Sequence, residues 1–318
     1  MMSTVSRIDG KMAGVLRELL GENLVMNEPL SRHTSMATGG PADAFCRVVS
    51  GDILRTLIVL LAGAGLPKLV LGRGTNILPS DAGFRGMVIV LEGDFSRIVF
   101  DGNIAEAGAA VTLASFAEEA ARNGLGGLEF TSGIPGSLGG SLIGNAGTSG
   151  EALGDLVERV DLMQEDGSIR GATREESGFS YRTSALSGLG AVVLGARFRL
   201  PSRSRVEIVE RVRPYAVKRR QQPLDWRSAG CIFKNPAGHS AGQLIDQAGL
   251  KGERAGAMEI SDRHANFMVN RGGGTTSQAM ELAGKVRRVV HEKFGVLLES
   301  EVRIIDEEGR RVVAGDEA

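Results

Sequence analysis

The chain has 318 residues, too many for one ordinary hydrophobic core, so two or three domains are expected. Its 37 Lys and Arg against 38 Asp and Glu give a net charge of -1, which removes the electrostatic case for a general nucleic-acid binder and leaves any anionic ligand to local groups. Hydrophobic residues make up 42%, enough for packed cores, and glycine contributes 45 residues, roughly twice ordinary usage.

Near the N-terminus, Arg7, Asp9, Lys11, Arg17 and Glu18 interrupt the apolar residues, unlike a signal peptide, and a cytoplasmic protein is expected. Residues 11–20 read as an amphipathic helix and 51–65 as a helix ending in glycines. The apolar run from Leu57 to Leu66 stops at Pro67-Lys68 and is too short to span a bilayer, so no membrane partner is expected. Two short strands follow, Leu69–Leu71 and Met87–Leu91, with the glycine-rich LGRGTNILPSD between them. Residues 96–108 read as paired strands turning at Asp101-Gly102, and Thr112 to Arg122 as a helix with a threonine cap. A glycine-punctuated stretch covers 124–150. Strands resume at 157–163, 168–172 and 191–200.

Pro201 and a charged helix from Arg205 to Arg220 mark a boundary between residues 1–202 and 203–318. Beyond it, helices are expected at 241–248 and 275–294 and strands near 267–270 and 296–305. Strands and helices mix without a strict βαβ rhythm, so the class is α+β. Two cysteines, Cys46 and Cys231, make no disulfide framework, and the four histidines show no metal-ligand spacing, so no metal is expected.

Two loops stand out. Gly72, Arg73, Gly74, Thr75 and Asn76 follow an apolar strand, which sets consecutive backbone N–H groups at a strand end, where such nests hold phosphate oxygens. The third glycine of a dinucleotide GxGxxG is missing, since Ile77 stands there, and so is the Lys-Ser/Thr of a P-loop. An ordinary tight turn explains this loop equally well. The second loop, residues 132–150, carries glycines at 133, 136, 139, 140, 144, 147 and 150. A backbone that lies against a flat polyanion needs such a surface, because side chains hold the ligand off. A flexible linker is the alternative, opposed by the core-like spacing of Ile134, Leu138, Leu142 and Ile143.

LGRGTN and GIPGSLGG resemble the two pyrophosphate-contacting segments of the vanillyl-alcohol-oxidase-type FAD-binding fold, in the version found in the UDP-N-acetylenolpyruvoylglucosamine reductases. HTSMATGGPAD (33–43), SYRTS (180–184), SAGCIFKNP (228–236), HANFMVN (264–270) and LESEVRIID (298–306) resemble further motifs of that family, in its order. The resemblance implies an FAD-binding part in two lobes, about 24–92 and 93–202, followed by a C-terminal α+β substrate-binding domain. It also implies non-covalent FAD, NADPH as hydride donor and a UDP-sugar enolpyruvyl ether as substrate. Cofactor contacts would come from Gly72, Arg73, Gly74, Thr75 and Asn76, and from Gly133, Ile134, Pro135, Gly136, Ser137, Gly140, Asn145 and Gly147. Thr75 replaces a common serine, and Gly144 and Ser149 stand where the family has methionine and tyrosine. The short Arg182–Cys231 interval is similar to the subtype that lacks an extra substrate-covering loop.

In that family the hydride passes through flavin to the vinyl methylene carbon, the neighbouring carbon is protonated, and the product is UDP-N-acetylmuramate, a peptidoglycan precursor. Hydride addition pushes charge into the adjacent carboxylate, so a cation and one positioned proton are needed. The resemblance assigns the cation to Arg182, which can grip a carboxylate bidentately, the proton donor to Cys231, where serine is common, and a second acid to Glu301. Without it, Arg182 reads as a surface arginine, Cys231 as a small core residue and Glu301 as part of a solvated strand face with Glu299 and Arg303. Tyr181, Lys234 and Asn235 are candidate substrate contacts. The cationic helix end (Arg211, Arg213, Lys218, Arg219, Arg220) is a further candidate for the nucleotide diphosphate or a solvated face. Two rivals stand beside this: a flavin- or nucleotide-binding protein without turnover, and a serine hydrolase using Ser240 in Gly238-His239-Ser240-Ala241-Gly242. The second is opposed by Asn235-Pro236, which interrupts the strand a nucleophile elbow needs.

Overall fold

The computed structural model describes residues 6–314. Its first helix, α1 (Gly10–Leu20), begins where Asp9 accepts a hydrogen bond from the Met12 amide and ends at Gly21, in the left-handed half of backbone space. The chain then builds β1 (Leu24–Pro29), β2 (Pro41–Val48), α2 (Gly51–Gly63), β3 (Lys68–Val70), β4 (Ile77–Pro79) and β5 (Phe84–Leu91). Four of these strands form one sheet in the order β1-β2-β5-β3; β1 is antiparallel to β2, while β2 and β3 both run parallel to β5. Helix α2, capped by Ser50, buries Leu54, Leu57, Ile58 and Leu61 at i, i+3, i+4 and i+7. Each such side chain contributes roughly 1.5–3 kcal/mol of burial. The sequence pattern does not announce strands β1 and β2. From Ala42 to Cys46, β2 is continuously buried, so it lacks the alternation that betrays a half-exposed strand.

The second lobe comprises β6 (Ile98–Asp101), β7 (Ile104–Gly108), α3 (Leu113–Arg122), α4 (Leu138–Ile143), the short hairpin β8 (Gly147–Thr148) and β9 (Glu151–Ala152), then β10 (Val157–Met163), β11 (Ile169–Thr173) and β12 (Val192–Arg199). Its five-stranded sheet, β11-β10-β12-β7-β6, is antiparallel throughout. The Thr112 cap is as expected, accepting from the Ser115 amide at 3.0 Å. The two lobes share one continuous core that runs from Leu16, Leu57 and Ile89 to Phe116, Val160 and Phe198.

Helix α5 (Arg205–Arg220), opened by a Ser204–Glu207 capping box, lies against the 129–131 turn and α3 of the second lobe. Beyond it come α6 (Ala241–Gln247), β13 (Arg254–Ala255), β14 (Met258–Ile260), β15 (Met268–Asn270), α7 (Thr276–Phe294), β16 (Arg303–Ile305) and β17 (Arg311–Val312). These elements have their own core around Phe233, Ile245, Met258, Val286 and Leu298, joined by Met36 and Leu78 from the first lobe. The strand expected at 296–305 is regular only at β16. Residues before it run extended beside 231–234 through separate contacts, Glu301 N to Ile232 O at 2.7 Å and Lys234 N to Glu299 O at 2.8 Å, with a single bridge between Phe233 and Ser300. The alternation of burial survives: Leu298, Ser300, Val302 and Ile304 are buried and Glu299 exposed.

Two features fix the C-terminal part to the first lobe. Strand β4 pairs in parallel with β16, so it extends the sheet of the distant segment rather than its own. Asp81 accepts from the Thr276 amide at 2.7 Å and from the Ser277 amide at 2.8 Å, capping α7. No helix among the described residues is long and apolar enough to cross a membrane.

Candidate active site and cofactor bed

After β3, Leu71 still donates to Ile89 O at 2.8 Å, and then the chain leaves the sheet at Gly72. Gly74 has φ 62°, and a Cβ there would sit 2.0 Å from His33 O, so only glycine fits. A Cβ on Gly72 would sit 2.1 Å from Ser137 Oγ, because the second glycine-rich loop packs directly on the first. Thr75 Oγ1 donates to Pro135 O at 3.0 Å and ties the two together.

Among the described residues, the amides of Gly72, Arg73, Gly74, Thr75 and Asn76 donate to no protein acceptor, and neither do those of Gly133, Gly136, Ser137 and Gly140. Unpaired backbone donors gathered at two adjoining loops suit a pyrophosphate, whose oxygens accept them. The bed therefore fits a dinucleotide. Ile134 packs on the second-lobe core and supports it from behind. Two expected cofactor residues have polar groups engaged by protein. Asn145 is buried, with Nδ2 donating to Ser180 O at 2.8 Å and Oδ1 accepting from Gly154 N at 2.9 Å. The Gly147 carbonyl accepts from Arg182 Nη1 at 2.6 Å. Gly144 ends α4, and Ser149 accepts from Lys218 Nζ at 2.8 Å.

Tyr181 and Arg182 occupy the tip of a tight turn closed by Ser180 and Thr183, with Arg182 at φ 57°, unusual for a residue with a Cβ. Arg182 Nε meets Glu301 Oε1 at 2.8 Å, an ion pair between the second lobe and the C-terminal part. Desolvation raises the Glu301 carboxyl above its ordinary range, although Arg182 and Lys234 pull the other way. Cys231 lies in the same cluster. Burial pushes its thiol up to about 12, Glu301 adds to the rise, and Arg182 and Arg219 oppose it. The thiol is therefore a neutral S–H at neutral pH.

Arg219, from the cationic end of α5, is closer to the chemistry than its sequence context suggested. Its alkyl stem fills the space over Gly133, and its guanidinium charge is felt at Cys231. Lys234 Nζ pairs with Glu299 at 3.3 Å. Asn235 donates its amide to Tyr181 Oη at 3.3 Å and uses Oδ1 to hold the Ala241 amide at 3.0 Å. Ser240 caps α6 through the Gln243 amide and follows a turn rather than a strand, so the elbow geometry of a hydrolase is absent there.

Residues 42–173 match the profile described as "FAD binding domain". With the donor-lined bed, this makes the chain an FAD-binding protein, on the mixed α+β architecture expected above. Residues 222–305 match "UDP-N-acetylenolpyruvoylglucosamine reductase, C-terminal domain". The UDP-N-acetylenolpyruvoylglucosamine reductase 2 of Symbiobacterium thermophilum is 42% identical over 278 residues, covering 87% of this chain and 90% of that protein. The reductase of Heliobacterium modesticaldum is 41% identical over 309 residues, 96% of this chain and 97% of its own. The crystal structure of the Thermus caldophilus UDP-N-acetylenolpyruvylglucosamine reductase superposes with a TM-score of 0.76 at 37% identity, covering 88% of this chain and 97% of that one. The chain belongs to the UDP-N-acetylenolpyruvoylglucosamine reductase family.

Proposed function

We propose that this enzyme reduces UDP-N-acetylenolpyruvoylglucosamine with NADPH to give UDP-N-acetylmuramate, a cytoplasmic step in peptidoglycan precursor synthesis. The observation that carries the reading is the convergence of Arg182, Glu301 and Cys231, from three separate segments, on one cluster. In this division residues 1–202 hold the cofactor and 203–318 supply the substrate side. FAD, when bound, would supply the hydride relay between NADPH and the enolpyruvyl alkene. The free amides of residues 72–76, 133, 136, 137 and 140 would hold its pyrophosphate.

The residues do the rest. Arg182 takes the substrate carboxylate, and its permanent charge stabilises the enolate-like dianion formed as the methylene carbon gains hydride. Cys231 Sγ gives its proton to the neighbouring carbon. A thiol that is protonated at working pH is poised for this, and the negative charge of the intermediate drives the transfer. Glu301, its proton affinity raised by burial, bonds the carboxylate from the other side as an acid. Tyr181, Lys234 and Asn235 border the approach, and Arg219 and Lys218 carry the charge for the nucleotide diphosphate.

The test is optical. Purified protein is expected to be yellow, to bleach with NADPH in the absence of oxygen, and to regain its colour on addition of the enolpyruvyl nucleotide. Colourless protein that takes up no added FAD, or reduced protein that ignores the nucleotide, overturns the proposal.

A further inference from the structure

Arg182 does not hold its place unaided. Its left-handed backbone is one that side chains avoid, and such conformations persist only where the surroundings determine them. Three hydrogen bonds dock its turn onto the end of α4 and the segment that follows it. Asn145 Nδ2 donates to Ser180 O at 2.8 Å, Ser184 Oγ donates to Ile143 O at 2.9 Å, and Arg182 Nη1 donates to Gly147 O at 2.6 Å. The first stands apart. Asn145 is buried, is itself left-handed at φ 43°, and its other amide atom anchors Gly154 N at 2.9 Å, so both ends of the side chain are engaged by protein. A buried primary amide bonded at both ends is a strut. This one runs from the 153–155 turn to the carbonyl that opens the Tyr181-Arg182 tip.

We infer that Asn145 is a positioning residue for Arg182, setting the guanidinium through Ser180 rather than touching cofactor with its side chain. The inference rests on the reading of Arg182 given above. Since α4 begins in the cofactor bed and ends beside Asn145, the same short segment fixes the bed and the arginine relative to each other.

Asn145→Asp tests this. Aspartate keeps the acceptor for Gly154 N and tolerates a left-handed backbone, but it replaces the donor to Ser180 O with an oxygen. FAD content and the rate of anaerobic reduction by NADPH are expected to stay within about twofold. Reoxidation by UDP-N-acetylenolpyruvoylglucosamine is expected to slow about 10- to 100-fold, the range for a misplaced catalytic group. Asn145→Gly, which keeps the backbone without steric strain, is expected to show the same split if the aspartate variant does not fold. In an Arg182→Ala background, Asn145→Asp is expected to add no more than about twofold, because a strut with nothing left to position has nothing more to lose.

Reoxidation at the wild-type rate overturns the inference. So does a loss that multiplies onto Arg182→Ala, or a parallel fall in FAD content and both half-reactions, which marks a merely structural role. Arg182→Ala that reoxidises normally overturns instead the reading of Arg182 itself.

Discussion

Arg182 Nε and Glu301 Oε1 stand 2.8 Å apart although they lie 119 positions apart in the chain and belong to different parts of the fold. On the role proposed for Arg182, the pair creates a conflict for an anionic substrate, whose carboxylate must share the guanidinium with one already there. Protonation of Glu301 resolves it, and burial has already moved that carboxyl towards the neutral form. Affinity of the oxidised enzyme for the enolpyruvyl nucleotide is therefore expected to be greatest at low pH. It should fall as pH rises through the elevated Glu301 value, by up to about tenfold per pH unit for one linked proton. Glu301→Gln is expected to flatten that profile, and titration of the flavin spectrum with nucleotide at several pH values measures it. An unchanged slope in Glu301→Gln refutes the assignment.

The Cys231 thiol, held up at about 12 against an ordinary 9.0, has two measurable consequences. Alkylation by iodoacetamide at pH 8 is expected to be far slower than for a free thiol and to keep accelerating well past pH 9. Because the folded value exceeds the ordinary one, the stability linked to this group is present below about pH 9 and is lost as pH climbs towards 12. Glu301→Gln removes a charge that raises the thiol, so alkylation at a given pH should quicken.

Proton donation predicts a different signature for the same residue. Cys231→Ser is expected to remain active, since a hydroxyl supplies the same proton from the same position. Cys231→Ala is expected to be reduced by NADPH at the normal rate and to lose at least about 100-fold in reoxidation by the nucleotide, within the range for general acid catalysis. Stopped-flow traces of the two half-reactions decide it. An alanine variant that turns over normally removes Cys231 from the mechanism.

Gly74→Ala isolates the cofactor bed. Strain at φ 62° and a 2.0 Å clash with His33 O must both be relieved by moving the loop, at a cost of at least about 1–3 kcal/mol. The amides of 72–76 then lose their common aim. Protein purified with little or no flavin, yet with an otherwise native circular dichroism spectrum, is the expected result. A fully flavinylated variant argues that this loop does not carry the pyrophosphate.

What could be read in advance followed from local chemistry. Helices α2 and α3 announce themselves through Ser50 and Thr112 caps and apolar faces, and β10 through its length and the Asp166-Gly167 turn beyond it. Strand β2 stayed hidden because burial on both faces erases alternation, and β4 because three residues carry no period and pair with a segment 226 positions away. At the site, Arg182, Cys231 and Glu301 were reachable only through motif resemblance, since each alone reads as surface or core. Asn145 sat inside a glycine-rich run, which suggested cofactor contact. Its two hydrogen bonds to Ser180 and Gly154 are long-range or loop contacts with no periodic trace. Arg219 is one cation among six on α5, and only the path of the helix over Gly133 sets it apart.

Asp81 offers a test of how the substrate side is fastened. Its carboxylate caps α7 across the junction, bonding the Thr276 and Ser277 amides and Ser277 Oγ, while Thr276 Oγ1 donates to Pro79 O at 2.6 Å. A capping carboxylate at an exposed helix start contributes about 1 kcal/mol. Asp81→Ala is expected to lower the midpoint of thermal unfolding by a few degrees. It should also slow nucleotide-dependent reoxidation more than NADPH-dependent reduction, because β4 and this cap together set where Glu301 and Cys231 stand relative to the bed. Asp81→Asn, which keeps one acceptor oxygen, is expected to recover part of both effects. Equal slowing of the two half-reactions would mean that the cap stabilises the whole fold without steering the junction.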